Sequence, residues 1–448
     1  MMSNPPTLRV ITPFVGLVLL ASVLGTSATT AQAQKRGSDN IEVLGHLPLG
    51  GAETVADIEL EQEMHRPYAY VARAQYRDPN PVGTDIIDLS DPARPRVIAR
   101  WRIENPELHQ GAGALDVKYF KIDGRYYVVQ ALQFGSGGPN ADLGAVILDV
   151  TGLPDPDSVV EVARIREPDL PGGFHNIFVY KHSNGGVYLM TTLRGPGANV
   201  YDLGRVVSGD GDNALVANIP VPEETGGARA SYHDFYAGYH QETETDRFYG
   251  GGSGGYYVYD ITDLENPELL VTLTGISGVS RGHTFTPGPS GRYVIAETEY
   301  RYAPLRIFDL KPALDGERSN INQPISAWTS NWQHLPHNHE VRWPYVFVSS
   351  YLDGLQVFSM MDPENPTTVG YFDTYTNHPI GGGDGGVMNG AFGVDVRNED
   401  GLIVISDLMT GFWSFRMEGF NGWSGEDWGV PDVSSAQKWD EESREGTR

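Results

Sequence analysis

The feature that most constrains the fold is a short motif that returns along most of the chain. It is an apolar–polar–apolar triplet, usually with Asp at its centre, and successive centres lie 49 to 61 residues apart. The copies are Ile87-Asp88-Leu89, Leu148-Asp149-Val150, Tyr201-Asp202-Leu203, Tyr259-Asp260-Ile261, Phe308-Asp309-Leu310, Phe358-Ser359-Met360 and Phe415-Arg416-Met417. Known propeller repeats, each forming one four-stranded blade, are about 40 to 50 residues long. The motif therefore predicts an all-β, seven-bladed β-propeller of four-stranded blades.

The N-terminal part of the propeller is expected to complete the last blade. The seventh repeat supplies three strands, and the segment Ile41–Leu47 resembles fourth strands such as Thr368–Phe372. Closing the ring in this way removes exposed strand edges. Six or eight blades are the alternatives, because the weakest copies decide the count.

The chain outside the propeller has a different composition. Arg9 precedes an apolar run, Phe14–Leu24, that is too short to span a bilayer, and Ala31-Gln32-Ala33 offers a cleavage pattern of small residues. We therefore predict a signal peptide at 1–33, a linker at 34–40, the propeller at 41–424 and an acidic, polar, mobile tail at 425–448. The mature protein is expected to be periplasmic or secreted, with no membrane insertion after cleavage.

The composition limits the chemistry and the partners. The chain has no Cys, so disulfides, thiolate metal sites and a lipid-modified cysteine are excluded. The formal net charge of −26 argues against nucleic acid as a partner, since nucleic acid is itself a polyanion. We expect a monomer whose partner is a small molecule, a glycan or a protein.

Several copies of the repeat continue from the triplet into an Asp-Pro-x-x-Pro turn. The clearest are Tyr257–Pro267 (YVYDITDLENP) and Gly354–Pro366 (GLQVFSMMDPENP). This combination resembles the LVIVD-repeat propellers of bacterial and archaeal surface and secreted proteins, over about residues 41 to 418. The resemblance implies the fold and an extracytoplasmic setting, and it carries no assigned chemistry. Blades three, five and seven depart from it, because their Asp-Pro turn is replaced.

Aligning the inner strands places a histidine at one equivalent position in four consecutive blades. The position is occupied by Ala56, Leu115, His175, His233, His283, His339 and Val394. Equivalent positions in a propeller approach a common axis, so His175, His233, His283 and His339 are predicted to line one mouth of the central channel. His337 is a candidate substitute for His339, and His109 and His378 are expected in loops on the same face.

Four converging imidazoles suit a transition metal ion such as Zn, Fe or Cu. Asp234 and Glu340, which follow two of the histidines, would then orient the rings. The alternative is that these histidines pack or hydrogen-bond between blades. Arg281 and Arg301 lie near the same face and are candidates for holding a carboxylate or sulfate group of a ligand.

Two functions follow from this arrangement. The first is a ligand- or protein-binding module with a histidine-lined central pocket. The second is a metal-dependent enzyme, either an oxidoreductase or a metal-assisted hydrolase or lyase, in which an open coordination position holds water or oxygen.

Overall fold

The computed structural model describes residues 36–51, 53–76, 82–104, 106, 111–134, 142–167, 172–192, 195–222, 230–375, 388–431 and 437–440. All of them belong to one compact unit, Arg36–Arg448. The predicted signal peptide, 1–33, lies outside the described residues. Among the described residues, no helix is long and apolar enough to cross a membrane.

The described strands form seven four-stranded antiparallel sheets arranged as a seven-bladed propeller, which confirms the predicted fold class. Blade one consists of β2 (Ile58–Leu60), β3 (Tyr68–Arg73), β4 (Gly83–Asp88) and β5 (Arg96–Arg102). Blade two consists of β6 (Gly111–Ile122), β7 (Arg125–Phe134), β8 (Leu143–Asp149) and β9 (Val160–Arg166). Blade three consists of β10 (Ile177–Lys181), β11 (Val187–Thr192), β12 (Ala198–Asp202) and β13 (Leu215–Ile219). Blade four consists of β14 (Tyr232–His240), β15 (Thr245–Gly252), β16 (Gly255–Asp260) and β17 (Glu268–Thr274). Blade five consists of β18 (Phe285–Pro287), β19 (Tyr293–Ala296), β20 (Leu305–Asp309) and β21 (Ser326–Trp328). Blade six consists of β22 (Asn338–Arg342), β23 (Tyr345–Ser349), β24 (Leu355–Ser359) and β25 (Thr367–Phe372).

Blade seven closes the ring with strands from both ends of the propeller. Its sheet contains β26 (Ala391–Val396), β27 (Ile403–Asp407), β28 (Gly411–Met417) and the N-terminal β1 (Ile41–Leu47). Strand β1 runs antiparallel to β28, with Ile41 opposite Met417 and Leu47 opposite Phe412. The closing strand is therefore where the sequence predicts it.

The helices of the described residues are short and lie outside the sheets. They are the α-helices Leu203–Val207 and Lys311–Leu314 and the 3₁₀ turns Pro156–Ser158, Gly211–Asn213, Pro289–Gly291 and Glu426–Trp428.

The Asp of the repeat motif has a local role at the end of the third strand. In blades one, two and four its side chain accepts a hydrogen bond from the backbone N–H two residues later, at 2.8 to 2.9 Å. The acceptors are Asp88, Asp149 and Asp260. Such a bond turns the chain toward the fourth strand, which explains why the motif recurs once in each blade.

Acidic side chains of the inner strands join neighbouring blades. Asp395 of blade seven accepts a hydrogen bond from the backbone of Leu60 in blade one, at 2.8 Å. Asp116 of blade two accepts one from Ile177 of blade three, at 2.7 Å. Buried acceptors of this kind fix the rotation of one blade relative to the next, and they bring the starts of the inner strands into register.

Part of the tail packs against the propeller, which differs from the expectation of a mobile tail. Gln437 accepts a hydrogen bond from the backbone N–H of Lys181 at 2.6 Å, and it also donates to the Val179 carbonyl. The Trp439 ring packs edge-on against Tyr119, with 5.8 Å between ring centroids. These contacts lie at the far ends of the inner strands of blades two and three. Burial of the Trp439 indole favours this packing, although the tail as a whole has a polar composition.

Candidate metal centre

Four histidines occupy one equivalent position at the start of the inner strands, and they are His175, His233, His283 and His337. Backbone pairing defines the position in blades five and six. The His283 N–H donates to the Glu297 carbonyl, and the His337 N–H donates to the Ser349 carbonyl, each at 2.9 Å. The structure thus assigns His337, the candidate substitute, to the place that the sequence alignment gave to His339.

The four rings form a continuous row. Ring centroids are 4.6 Å apart for His175 and His233, 4.1 Å for His233 and His283, and 5.3 Å for His283 and His337. The row lies at the end of the central channel where the inner strands begin. Four widely spaced residues of the sequence are therefore neighbours because each blade repeats the same geometry.

His339 lies one pleat further along β22 and belongs to a different set of contacts. Its Nε2 is 2.5 Å from the Thr286 hydroxyl, and its Nδ1 is 3.2 Å from a carboxylate oxygen of Glu297. The ring is fully buried. Both nitrogens are thus engaged between blades five and six, as in the structural alternative weighed for these histidines.

Hydrogen bonds fix the orientation of three rings in the row. Nδ1 of His175 is 2.8 Å from Gln133 Oε1, and Nδ1 of His337 is 2.6 Å from the Phe392 carbonyl oxygen. Because these oxygens only accept, each Nδ1 carries the proton and each Nε2 keeps its lone pair. Metal-binding histidines are commonly oriented in this way.

His283 is oriented through a hydroxyl. Its Nδ1 is 2.9 Å from Thr284 Oγ1, which is itself 3.1 Å from both Asp234 Oδ2 and Asn338 Oδ1. The hydroxyl donates to one of these acceptors and accepts from His283 Nδ1, so His283 Nε2 keeps its lone pair.

The two residues predicted to orient the rings therefore differ in their contacts. Asp234 reaches His283 through Thr284. The sequence had instead suggested that Asp234 orients the ring of the adjacent His233. Glu340 instead accepts from Arg342 at 2.9 Å and from the Tyr236 hydroxyl at 3.2 Å. The contacts of Glu340 therefore lie near His339 rather than at the histidine row.

Glu299, which lies in the loop after β19, supplies a carboxylate beside the row. Its Oε2 is 3.7 Å from His283 Nε2, and its Oε1 accepts a hydrogen bond from the Tyr351 hydroxyl at 2.6 Å. One ligand atom from each of His233, His283 and Glu299 lies within 4.8 Å of the others. Sequence reasoning missed this carboxylate, since the available signal was only an acidic residue in a loop on the predicted face.

Two imidazole nitrogens of this group are buried and have no hydrogen-bond partner among the residues that the structure describes. They are His233 Nδ1 and His283 Nε2. An unpartnered buried polar atom costs about 1–3 kcal/mol. A metal ion bound by His283 Nε2, which keeps its lone pair, would offset that cost at this atom, and His233 could bind the same ion through the ring nitrogen that is not protonated.

Three rings of the row, those of His175, His233 and His283, are held in their neutral form. Burial lowers the pKa of His175 to about 4, with further contributions from the neighbouring His337 and from the positive charge of Arg281. Burial also holds the pKa values of His233 and His283 well below the usual range, and their neighbouring histidines add to the effect. Neutral imidazoles are the form that binds metal.

A glycine-rich stretch allows the histidine-bearing segments to approach one another. A Cβ on Gly251 of β15 would lie 1.8 Å from the His283 carbonyl oxygen, and a Cβ on Gly282 would lie 2.4 Å from the Gly255 carbonyl oxygen. The run Gly250–Gly255 thus has a packing role, since only hydrogen side chains leave room for the entry to blade five.

The two candidate ligand-binding arginines are placed differently. Arg281 donates to Ser231 Oγ at 3.2 Å and to the Tyr232 carbonyl at 3.3 Å, next to His233. Arg301 follows Glu299 by two residues in the loop after β19. The candidate loop histidines His109 and His378 lie outside the described residues.

Comparisons with known proteins add no assignment to this geometry. No protein-family model matches the chain, and no curated protein matches it either. The resemblance to LVIVD-repeat propellers therefore stays a prediction.

Proposed function

We propose that this propeller binds a transition metal ion at the channel end lined by His175, His233, His283, His337 and Glu299. The ligand type favours zinc, iron or copper, because imidazole nitrogens dominate the set. The supporting geometry already brings His233, His283 and Glu299 together as a possible metal-binding triad.

One observation carries the proposal. His283 Nε2 and Glu299 Oε2 are 3.7 Å apart, too far for a hydrogen bond, and the nitrogen is buried with no hydrogen-bond partner in the described part of the chain. Two atoms that each lie about 2.0–2.2 Å from one zinc ion have a separation of this order. The spacing fits a shared metal better than a direct contact.

Elemental analysis of the purified protein tests the proposal. We expect about one equivalent of metal after supplementation with zinc, iron or copper, and loss of that metal in the double variant His233→Ala/His283→Ala. The matched control is His46→Ala/His65→Ala, which removes two histidines outside the row and should keep the metal. Absence of stoichiometric metal from the supplemented wild-type protein would contradict the proposal.

The triad also favours a second candidate, a metal-dependent enzyme. Two histidines and one glutamate are the ligand set of several catalytic zinc sites, in which water occupies the fourth position. A metal-assisted hydrolase or lyase, or an oxidoreductase with iron or copper, is the corresponding reaction class. Metal-dependent turnover of a simple ester such as 4-nitrophenyl acetate, lost in His233→Ala/His283→Ala, tests the hydrolytic form.

We further infer that the mature chain acts outside the cytoplasm. The inference is supported by the predicted signal peptide at 1–33. N-terminal sequencing of the protein recovered from the extracytoplasmic fraction should give a start near Gln34. A start at Met1 would contradict cleavage.

A further inference from the structure

Arg281 is positioned at the edge of the histidine row. Its guanidinium bridges from the entry of blade five to blade four, where it donates to Ser231 Oγ and to the Tyr232 carbonyl. That carbonyl belongs to the residue before His233. The positive charge is close enough to contribute to the lowered pKa values of His175, His233 and His283.

The hydrogen-bond partners of Arg281 within the described chain are neutral oxygens. Other arginines of the fold have carboxylate partners, such as Arg342 with Glu340 at 2.9 Å and Arg397 with Asp400 at 2.9 Å. Acidic residues outnumber Lys and Arg by 58 to 32. A cation left to neutral partners in such an acidic chain keeps its charge available for a ligand.

Three hydroxyl groups lie near Arg281, and one of them, that of Ser231, accepts a hydrogen bond from the guanidinium. Ser280 Oγ lies 3.2 Å from the Tyr300 hydroxyl, and the latter donates to the Arg281 carbonyl at 3.4 Å. Ser231 contributes a third hydroxyl. Guanidinium and hydroxyl donors together suit the oxygen atoms of an anion, because a charge-assisted hydrogen bond to arginine is stronger than one between neutral groups.

We propose that the site takes a small molecule bearing an oxyanion, such as a carboxylate or a phosphate, and that Arg281 pairs with this group beside the metal. The inference rests on the proposed metal centre. A divalent ion and Arg281 together carry more charge than the carboxylates of Glu299 and of Asp234, which reaches His283 through Thr284, so the occupied site would attract an anion. The ligand class is thus set by charge and donor geometry, whereas the metal provides a second point of attachment.

Calorimetric titration of the zinc-loaded protein at low ionic strength tests this inference, with sodium acetate and inorganic phosphate as separate probes. Arg281→Gln removes the charge, and Arg281→Lys keeps it. The matched control is Arg306→Gln in the same blade. The hydrogen-bond acceptors of Arg306 among the described residues are also neutral oxygens, namely those of Thr298, Pro304 and Ser277. Zinc content is measured for every variant.

We expect at least one probe to bind the wild type, and the tighter of the two distinguishes a carboxylate ligand from a phosphate ligand. Arg281→Gln should weaken that binding by about ten- to a hundredfold, the range for hydrogen bonds to charged groups. Arg281→Lys should weaken it less, and Arg306→Gln should leave it unchanged, with zinc content constant throughout.

The failures of the two proposals differ. If zinc binds but neither probe does, or if Arg281→Gln and Arg306→Gln behave alike, the anion site is overturned and the metal centre stands. If the wild-type protein does not bind zinc, iron or copper, the metal centre is overturned and the anion inference falls with it.

Discussion

At the scale of single residues, the histidines of this propeller are divided by what their nitrogens contact. His339 has both nitrogens engaged with Thr286 and Glu297. His283 has one nitrogen held by Thr284, and its other nitrogen has no hydrogen-bond partner within the described ranges. The side chains of His283, Thr284 and Thr286, at the start of β18, are all buried. Chemistry that needs a free lone pair can therefore use His283 and is closed to His339.

The hydroxyl of Thr284 should determine how well His283 binds metal. Thr284→Val removes the group that orients the ring, and the loss of such an outer partner typically costs 10- to 100-fold in metal affinity. Zinc affinity is measured by competition with a chelator. The control is Thr286→Val, which removes the equivalent buried hydroxyl from His339 and should leave zinc affinity within a few-fold of wild type. Equal effects of the two variants would show that Thr284 has no specific role.

His339 should make the protein sensitive to acid. Burial lowers its pKa from 6.5 to about 3 in the folded protein, so the ring gains its proton on unfolding and stability falls as pH falls below about 6.5. Between pH 7.5 and pH 5 this accounts for about 2 kcal/mol of the free energy of unfolding. The neighbouring Glu297, whose pKa is raised by burial, contributes in the opposite sense.

Comparison of variants isolates the contribution of His339. Urea unfolding of the metal-free protein at both pH values should show a pH-dependent loss that is smaller by about 2 kcal/mol in His339→Gln. His65→Gln, at an exposed position, serves as the control and should retain the wild-type dependence. An undiminished loss in His339→Gln would contradict this assignment.

At the scale of elements, the site depends on how closely neighbouring strands approach. Strand β15 passes against the segment that carries His283, and the absence of a side chain at Gly251 makes room for it. The turns of the repeat determine how each blade folds. The contact of Gly251 with the next blade determines where the His283 ring lies. A small change in one strand should therefore be felt at the metal centre in the next blade.

Gly251→Ala should displace His283 and impair metal binding. The added Cβ would lie 1.8 Å from the His283 carbonyl oxygen, and the backbone would have to move to relieve this clash. We expect a loss of about 1–3 kcal/mol in the free energy of unfolding, as for overpacked cores, together with weaker zinc binding. Gly211→Ala is the control, because a Cβ there meets nothing within 4 Å. Unchanged zinc binding in a destabilised Gly251→Ala protein would separate packing from metal affinity.

At the scale of the whole molecule, the ring is held closed by a strand from the opposite end of the chain. The pairing of β1 with β28 joins residues more than 360 positions apart, so closure forms only when all seven blades are in place. Without it, β28 would present an unpaired edge, which is a template for association with other chains. The inter-blade acceptors Asp116 and Asp395 then keep the histidine positions in register around the channel.

Removal of the closing strand should destabilise the molecule as a whole. A chain beginning at Pro48 is expected to lose at least about 3 kcal/mol of stability and to self-associate through β28. A chain beginning at Arg36 keeps β1 and is the matched control. Denaturant midpoints and light scattering measure the two effects. A stable, monomeric chain beginning at Pro48 would mean that closure is dispensable.

The sequence by itself predicted seven blades, the closing strand and three of the four histidines in the row, because each depends on a repeat that returns at a regular interval, and the structure then excluded the alternatives of six or eight blades. Tertiary structure decided the rest. The choice of His337 over His339 depends on backbone pairing with β23, and a shift of two residues keeps the same face of a strand, so the sequence pattern is similar for both. Glu299 and Thr284 join the site through the folding of blade five, which places the Glu299 carboxylate and the Thr284 hydroxyl beside the His283 ring. Hydrogen-bond partners and free lone pairs are properties of packed atoms, and these, rather than the order of residues, distinguish a candidate metal ligand from a buried structural histidine.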